Sequence, residues 1–201
     1  FINLDRSKDR LKLIKKYSKE ADLKINRFQA FDGAKLNFDQ LFKKNIFTDF
    51  IYKSKKGMIG CTYSHIKLWE QIMQEDNQYV LILEDDVIIP KDFWFQFKRF
   101  IHQVPKNWDL LYLGASNIKG KKISQNVIKP IYGGAGLSNV GAYAMLFKKQ
   151  SIINIHKEMI PVNNDFDVYI RDKYNKKSNI FYCYPPIILH NNDLNSDRRV
   201  I

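Results

Sequence analysis

The stretch Tyr79-Val80-Leu81-Ile82-Leu83-Glu84-Asp85-Asp86 passes from five aromatic or aliphatic residues directly into three carboxylates. A continuous apolar run of this length predicts a strand that is buried on both faces, as in a layered α/β sheet. Ligands of such sheets bind outside the carboxyl ends of the strands. The acidic triplet therefore lies where a layered α/β fold places its functional site.

Strand and helix patterns alternate on both sides of this segment. They predict strands over 1–4, 25–31, 108–114, 140–147, 180–184 and 187–190, and helices over 7–20, 57–74, 93–103, 165–174 and from about 149. Residues 34–56 are expected to be irregular, and 115–139 to form loops with one short strand near 127–132. The alternation predicts one α/β domain over 1–201, with a mainly parallel central sheet flanked by helices.

The composition is that of a globular chain with a sizeable core. Of 201 residues, 45% are hydrophobic, 14% are aromatic and 27% are charged, so one ordered domain is expected. The sequence has no apolar run of the ~18 residues that span a bilayer and no visible signal peptide. Its two isolated cysteines, Cys61 and Cys183, provide neither a disulfide framework nor a zinc motif. A reducing compartment is the simplest interpretation, and a single disulfide between the two cysteines is the alternative.

The net charge limits the classes of binding partner that the sequence favours. Lys and Arg number 33 against 21 acidic residues, which gives a net charge of +12. Nucleic-acid-binding arms concentrate their cations, whereas these are scattered, with short clusters at 53–56 and 119–122. We therefore expect no nucleic acid. The excess reflects either solvated lysine-rich faces or attraction to a phosphorylated substrate, a charged glycan or an anionic membrane.

The triplet has the chemistry of a site for a divalent cation and a diphosphate. Adjacent carboxylates raise one another's pKa unless a cation is present. On an extended backbone Glu84 and Asp86 share one face while Asp85 points away, and paired hard oxygens suit Mg²⁺ or Mn²⁺ bridging a diphosphate. The alternatives are a solvated triplet that caps the next loop, and nucleotidyl or phosphoryl transfer at a metal-bound aspartate. The sequence contains neither a P-loop nor a dinucleotide fingerprint.

Three sequence blocks follow one another along the chain. They are Ile2-Asn3-Leu4-Asp5-Arg6-Ser7-Lys8-Asp9-Arg10, Gly57-Met58-Ile59-Gly60-Cys61-Thr62-Tyr63-Ser64-His65-Ile66-Lys67-Leu68-Trp69 and Val80-Leu81-Ile82-Leu83-Glu84-Asp85-Asp86-Val87. In this order they resemble the "INLDRS-x-x-R", "G-x-x-G-C-x-x-S-H-x-x-x-W" and "ILEDDV" motifs of glycosyltransferase family 25, the lipooligosaccharide galactosyltransferase-like family. The resemblance implies a GT-A-type fold, a UDP-sugar donor and growth of a cell-surface glycan.

The resemblance also implies a specific reaction. A hexose, first of all galactose, is expected to move from a UDP-sugar to lipooligosaccharide or a similar glycan, with Mn²⁺ or Mg²⁺ as cofactor. The basic surface would then hold the enzyme peripherally at the anionic inner membrane face, on the cytoplasmic side. Collagen-modifying and viral relatives belong to the same family, so the acceptor stays open. A catalytically silent glycan-binding relative is the remaining alternative.

Two aspartates are candidates for the catalytic base. Inversion at the anomeric carbon requires a group that takes the proton of the acceptor hydroxyl. Asp165, at a predicted helix start, is the first candidate and Asp167 the second; the alternative is that Asp165 only caps its helix. The family tends to have an aspartate directly after Pro-Val, whereas Asn163 and Asn164 intervene here. The identity of the base is therefore open.

Five further residues are candidates for contact with donor, acceptor or metal. Asp5, Arg6 and Arg10 follow the first strand, where a nucleotide and its diphosphate would bind. Arg6 and Arg10 also lie one helical turn apart, as residues of a solvated helix face do. His65 is either a satisfied core histidine or an active-site residue that touches donor or acceptor. His190, near the end of the chain, is a candidate late metal ligand.

Overall fold

The chain folds around a six-stranded sheet in the computed structural model, which describes residues 1–131 and 139–194. Helices within these residues are α1 (Lys8–Glu20), α2 (Phe38–Lys43), α3 (Phe50–Lys53), α4 (Lys56–Met73), α5 (Phe93–Ile101), α6 (Lys149–Met159) and α7 (Phe166–Asp172). The strands are β1 (Ile2–Asn3), β2 (Phe28–Gln29), β3 (Tyr79–Leu83), β4 (Val87–Ile88), β5 (Leu110–Ser116), β6 (Gly120–Lys122), β7 (Val127–Pro130), β8 (Val140–Lys148), β9 (Ile180–Cys183) and β10 (Leu189–His190). None of these helices combines the length and the apolar character that a membrane span requires.

The central sheet is mixed rather than mainly parallel. Its strand order is β3-β8-β5-β9-β7-β6, and within it only β5 and β9 run parallel. Strand β8 enters between β3 and β5 and is antiparallel to both. The predicted mainly parallel sheet is wrong because a continuous apolar run such as 140–147 records burial on both faces and carries no information on strand direction.

The two faces of the sheet carry separate hydrophobic clusters. Leu110 of β5 belongs to one cluster, together with Trp69 of α4, and its neighbour Leu111 belongs to the other, together with Phe93 of α5. Successive side chains of a strand point to opposite faces, so one strand serves both clusters. Each fully buried large apolar side chain contributes roughly 1.5–3 kcal/mol. Helices cover the sheet on both faces, as predicted.

Residues 34–56 are more regular than expected. They contain most of a 3₁₀ helix over Gly33–Lys35, followed by α2 and α3. The side chain of Asn37 caps α2 by accepting a hydrogen bond from the amide of Gln40. The prediction is wrong because helices of 6 and 4 residues are shorter than the window in which helical periodicity is recognisable.

Three segments converge at the carboxyl end of β3. Strand β1 pairs in parallel with β2, and Ile2 forms a bridge to Glu84, so the start of the chain lies beside the acidic triplet. The first half of α4 packs against the 3₁₀ helix. A Cβ on Gly33 would lie 1.7 Å from the carbonyl oxygen of Lys56, and a Cβ on Gly60 would lie 2.5 Å from the nitrogen of Gly33. Only glycine at both positions permits this approach, which forms one wall of a cleft.

Candidate active site

A cleft of about 730 Å³, which includes its solvent-open mouth, lies at the carboxyl end of β3. Its walls come from four segments: the residues that follow β1, the loop 30–34, the first half of α4 and the acidic triplet. The strand end that the sequence singles out therefore opens into a cleft that is accessible from solvent.

All three carboxylates of the triplet line this cleft. Strand β3 ends at Leu83, and the chain turns at Asp85 and Asp86. Asp85 accepts hydrogen bonds from the side-chain amide of Asn3 at 2.6 Å and from the Nη1 of Arg10 at 2.8 Å. The expectation that Asp85 points away is wrong, because the alternation of an extended strand ends where the turn begins.

Asp86 lies in an electrostatically unfavourable position. Its Oδ2 lies 3.4 Å from Arg10 Nη1 and 3.5 Å from His190 Nε2. Its Oδ1 is buried and accepts no hydrogen bond from the described residues. Burial first, and the charge of Glu84 second, raise the pKa of Asp86 to about 6, although Arg10 and His190 act in the opposite direction. Burial also raises the pKa of Asp85, against the hydrogen bonds from Asn3 and Arg10.

The donor types around Asp86 are those that a hard divalent cation takes, although among the described residues Asp86, Glu84 and His190 do not bring three ligand atoms within 4.8 Å of one another. An orphaned buried carboxylate oxygen costs free energy that a cation would recover. Asp86 and Glu84 offer carboxylate oxygens and His190 an imidazole nitrogen, which are ligands that Mn²⁺ accepts, and Mg²⁺ accepts the oxygens. These residues would hold the ion that the sequence predicts.

The raised pKa of Asp86 predicts how stability depends on pH. The folded pKa of about 6 lies above the model value of 3.8, so the native state binds the proton more tightly and loses stability as pH rises through this interval. Without divalent metal, the wild type should lose on the order of 1–3 kcal/mol relative to Asp86→Asn between pH 4 and pH 7. Thermal unfolding of both proteins across this range measures the difference, and a pH-independent difference would contradict the prediction.

Strand β10 brings His190 to the triplet. It pairs in antiparallel fashion with β4, and His190 lies opposite Val87, the residue after Asp86. The Nδ1 of His190 lies 2.9 Å from Oδ1 of Asn192, which leaves Nε2 on the side of Asp86. A hydrogen bond to the second ring nitrogen is the usual way in which a metal-binding histidine is oriented.

Arg10 lies within the site, where its guanidinium pairs with the carboxylates of Asp85 and Asp86 and is not directed at a predicted phosphate position. Its side chain is 11% exposed and its guanidinium lies between Asp85 and Asp86. Such a position neutralises part of the charge that two buried carboxylates place side by side. Arg10 therefore keeps the triplet folded and remains within reach of an anion that enters the cleft.

Arg6 and Asp5, the other predicted donor contacts, differ in position. Arg6 lines the cleft and forms an ion pair with Asp32, which also lines it. Asp5 is not among the cleft residues and is engaged by Arg27 and Gln29. The structure thus brings Arg6 to the triplet but not Asp5.

His65 belongs both to the core and to the cleft wall. It is fully buried, and its ring stacks on that of Phe166 with centroids 3.8 Å apart. Its Nε2 lies 3.8 Å from Oε1 of Glu84. The two interpretations offered by the sequence are therefore compatible, because one face of the imidazole packs while its edge meets the triplet.

Asp165 and Asp167 do not line the cleft. Asp165 is at the N-cap position of α7 but makes no capping hydrogen bond with its side chain. Asp167 acts electrostatically on Tyr112, Tyr182 and Arg171, which places it near the sheet strands β5 and β9. The assignment of either as catalytic base remains a prediction. The glycine-rich run 133–136, a candidate for close backbone approach to a ligand, lies outside the described residues.

Three cleft residues were not singled out from the sequence. They are Asn3, which bonds Asp85; Asp32, which pairs with Arg6; and Ser64, whose hydroxyl accepts from the amide of Phe31. Asn3 carried a signal, since asparagine is depleted in strands and here interrupts an apolar run. Asp32 was attributed to a turn, and Ser64 is an ordinary helix residue whose partner lies far away in sequence.

Comparisons with known proteins match most of this chain. The model of Glycosyltransferase family 25 (LPS biosynthesis protein) matches residues 1–164. Procollagen galactosyltransferase 2 of Mus musculus is 27% identical over 191 residues, which cover 87% of this chain and 30% of that protein. Procollagen galactosyltransferase 2 of Homo sapiens is 28% identical with the same coverage. Inactive glycosyltransferase 25 family member 3 of Homo sapiens is 29% identical over 133 residues, which cover 60% of this chain and 22% of that protein.

The chain spans less than a third of the length of these curated relatives. The matched residues 1–164 nevertheless contain every residue that lines the cleft, from Ile2 to Asp86, whereas His190 lies beyond them. Because the family model covers most of the sequence and the whole cleft wall, this chain belongs to glycosyltransferase family 25.

Proposed function

We propose that this chain is a metal-assisted hexosyltransferase that moves a hexose, first of all galactose, from a UDP-sugar to a glycan acceptor with inversion. The observation that carries the proposal is Asp86, which keeps one buried oxygen without a hydrogen-bond donor among the described residues, in a cleft that Glu84 lines and beside His190. A cation that also contacts the donor's diphosphate would satisfy this oxygen. The printed names of the mouse and human relatives support galactose as the sugar.

In this proposal, different residues of the cleft bind the cation and the diphosphate. Asp86, Glu84 and His190 would hold Mn²⁺ or Mg²⁺, with Asp85 beside them. When bound, the ion neutralises the charge that develops on the departing nucleoside diphosphate. Arg6, which is 43% exposed at the cleft, donates to phosphate oxygens, as guanidinium groups do in bidentate fashion.

The proposal assigns the catalytic base to an aspartate at the start of α7. Inverting displacement needs a group that accepts the proton of the acceptor hydroxyl. Asp165 is the first candidate and Asp167 the second; their helix reaches the cleft wall through Phe166, which stacks on His65. Substitution of each aspartate in turn identifies which one acts.

The acceptor we propose is lipooligosaccharide or a similar glycan at a membrane surface. The family description refers to LPS biosynthesis, and the net charge of +12 favours an anionic membrane face over a neutral one. The enzyme would then work on the cytoplasmic side, peripherally attached.

An assay with and without acceptor tests the function. Purified protein is incubated with a panel of UDP-sugars and Mn²⁺ or Mg²⁺, and product glycan, UDP and inorganic phosphate are measured. Sugar transfer that requires the acceptor supports the proposal. Release of inorganic phosphate without transfer supports a phosphoryl or nucleotidyl enzyme instead.

A second candidate function, silent glycan binding, is favoured by one comparison, since one relative is named as inactive. UDP binding measured by calorimetry in the presence of metal separates the two. A silent relative would bind glycan and show no metal-dependent UDP binding. The proposed transferase binds UDP with metal and loses that binding in Asp86→Asn.

His190→Gln should weaken metal binding more than it lowers the stability of the fold. Glutamine keeps a polar side chain but loses the imidazole nitrogen near Asp86, so the metal concentration for half-maximal activity should rise about 10–100-fold, as for other perturbed metal sites. His102→Gln is the matched control, because His102 is exposed on the far end of α5 and bonds the carbonyl of Lys98. Equal metal titrations for both variants would remove His190 from the site.

A further inference from the structure

Three ligand-bearing side chains of different chemistry meet on the α4 side of the cleft. The thiol of Cys61, the imidazole of His65 and the carboxylate of Glu84 each place one ligand atom within 4.8 Å of the others. Within residues 1–131 and 139–194, no other trio of His, Cys, Asp or Glu meets this spacing. The sequence offers only the Cys61–His65 pair, which is too few ligands for a metal site, and the end of β3 supplies the third.

The separations approach those of a bound metal ion. Glu84 Oε1 lies 3.9 Å from Cys61 Sγ and 3.8 Å from His65 Nε2. In a tetrahedral zinc site the corresponding distances are about 3.6 Å and about 3.4 Å, as bond lengths of about 2.0–2.3 Å dictate. These two distances would have to shorten by only about 0.3–0.4 Å, and the ligand atoms of Cys61 and His65 lie within 4.8 Å of each other.

The scaffold holds two of the three ligands in place. Cys61 and His65 lie four residues apart on α4, so they project from the same helix face. His65 is further fixed by its stacking on Phe166 and by complete burial. All three side chains also line the cleft, so an ion can enter from solvent.

We propose that Cys61, His65 and Glu84 form a binding site for Zn²⁺. A thiolate and an imidazole favour Zn²⁺, whereas Mn²⁺ and Mg²⁺ prefer oxygen ligands. As the bond between sulfur and metal forms, the thiol releases its proton to solvent. The fourth tetrahedral position faces the cleft and is filled by water or by a ligand atom.

The site shares Glu84 with the proposed Mn²⁺ or Mg²⁺ site, and this step rests on the proposed function. An ion held by Cys61 and His65 engages Glu84 and adds positive charge beside Asp86. Zn²⁺ therefore inhibits sugar transfer in the presence of Mn²⁺, and Cys61→Ser relieves the inhibition. The binding itself does not depend on the enzyme being active.

Titration of the metal-free protein with Co²⁺ tests the site without an activity readout. A cobalt–thiolate bond produces a charge-transfer absorption in the near ultraviolet, and tetrahedral Co²⁺ produces strong visible bands. One equivalent should produce both, and Zn²⁺ should abolish them by displacement. Cys61→Ser should lose the near-ultraviolet band, whereas Cys183→Ser, which changes the second cysteine of the chain, should keep it.

Two outcomes of this titration overturn the proposal: no near-ultraviolet band in the wild type at saturating Co²⁺, or a band that survives in Cys61→Ser. Asp86→Asn should retain the band, and its loss there would contradict a site that is distinct from the proposed catalytic metal. A band without any sugar transfer supports the Zn²⁺ site and counts only against the proposed function.

Alkylation of the wild type provides a check that requires no variant to fold. Zn²⁺ should slow iodoacetamide modification of Cys61, followed by peptide mass spectrometry, whereas Mg²⁺ at the same concentration should not. Equal rates with and without Zn²⁺ would contradict coordination by the thiol.

Discussion

Asp86→Asn should lower the rate of sugar transfer by about 10²–10³-fold, the effect of removing one electrostatic contact from a developing charge. Asparagine has nearly the same volume as aspartate, so packing around the turn is preserved. It lacks the negative charge that would hold the cation, and its neutral oxygen binds a divalent ion weakly. Initial rates as a function of Mn²⁺ and UDP-sugar concentration measure the loss, which should include a weaker apparent affinity for the UDP-sugar because UDP binding depends on the metal.

The same substitution should not damage the fold. At neutral pH and without metal, Asp86→Asn should unfold at a higher temperature than the wild type, because it removes a buried charge whose pKa is raised to about 6. Asp76→Asn is the matched control, since Asp76 is exposed and far from the cleft residues. Unchanged transfer by Asp86→Asn, or inactivity accompanied by lower stability, would contradict the assigned role.

Gly60→Ala should both destabilise the protein and impair donor binding. The added Cβ would lie 2.5 Å from the nitrogen of Gly33 and 2.7 Å from the carbonyl oxygen of Phe31. These are backbone atoms that cannot rotate away, so α4 and the loop 30–34 must separate. Overpacking of this kind costs about 1–3 kcal/mol and occasionally more, or roughly 2–4 °C in Tm for each kcal/mol in a chain of this length.

The loop displaced by Gly60→Ala carries Asp32 and Ala34 into the cleft wall, so the Kd for UDP should rise as Tm falls. Gly57→Ala is the control for Tm alone, because Gly57 is half-buried one turn earlier on α4, where alanine improves helix propensity, but it also lines the cleft. A Tm for Gly60→Ala equal to that of the wild type would show that the close approach of helix and loop is not required.

Local signals predicted much of the fold. The helix over 57–74 and the strand over 79–83 are confirmed, because each combines a clear period with an unambiguous end. The direction of β8 and its insertion between β3 and β5 were missed. Strand order depends on which apolar surfaces meet in three dimensions, and a single sequence does not record it.

For the candidate site too, local sequence signals predicted some residues and missed how others are brought together. Glu84, Asp85, Asp86 and His65 lie at the cleft because motif and strand end coincide there. His190 reaches Asp86 only through the pairing of β10 with β4, which the sequence pattern did not reveal. Asp165 and Asp167 were chosen from their position at a helix start, a signal that reports local capping and not distance from a cleft.

The position of β3 has a consequence for biosynthesis. In the described sheet its hydrogen-bonding partner is β8, and Tyr79 pairs with Lys148. During translation, β3 and the acidic triplet leave the ribosome before β8 has been synthesised. Until then β3 has no partner strand, and pairing between segments so far apart in sequence is slow. Release of a shortened polypeptide before Lys148 would leave an unpaired apolar segment exposed, which is a substrate for chaperones rather than a working catalyst.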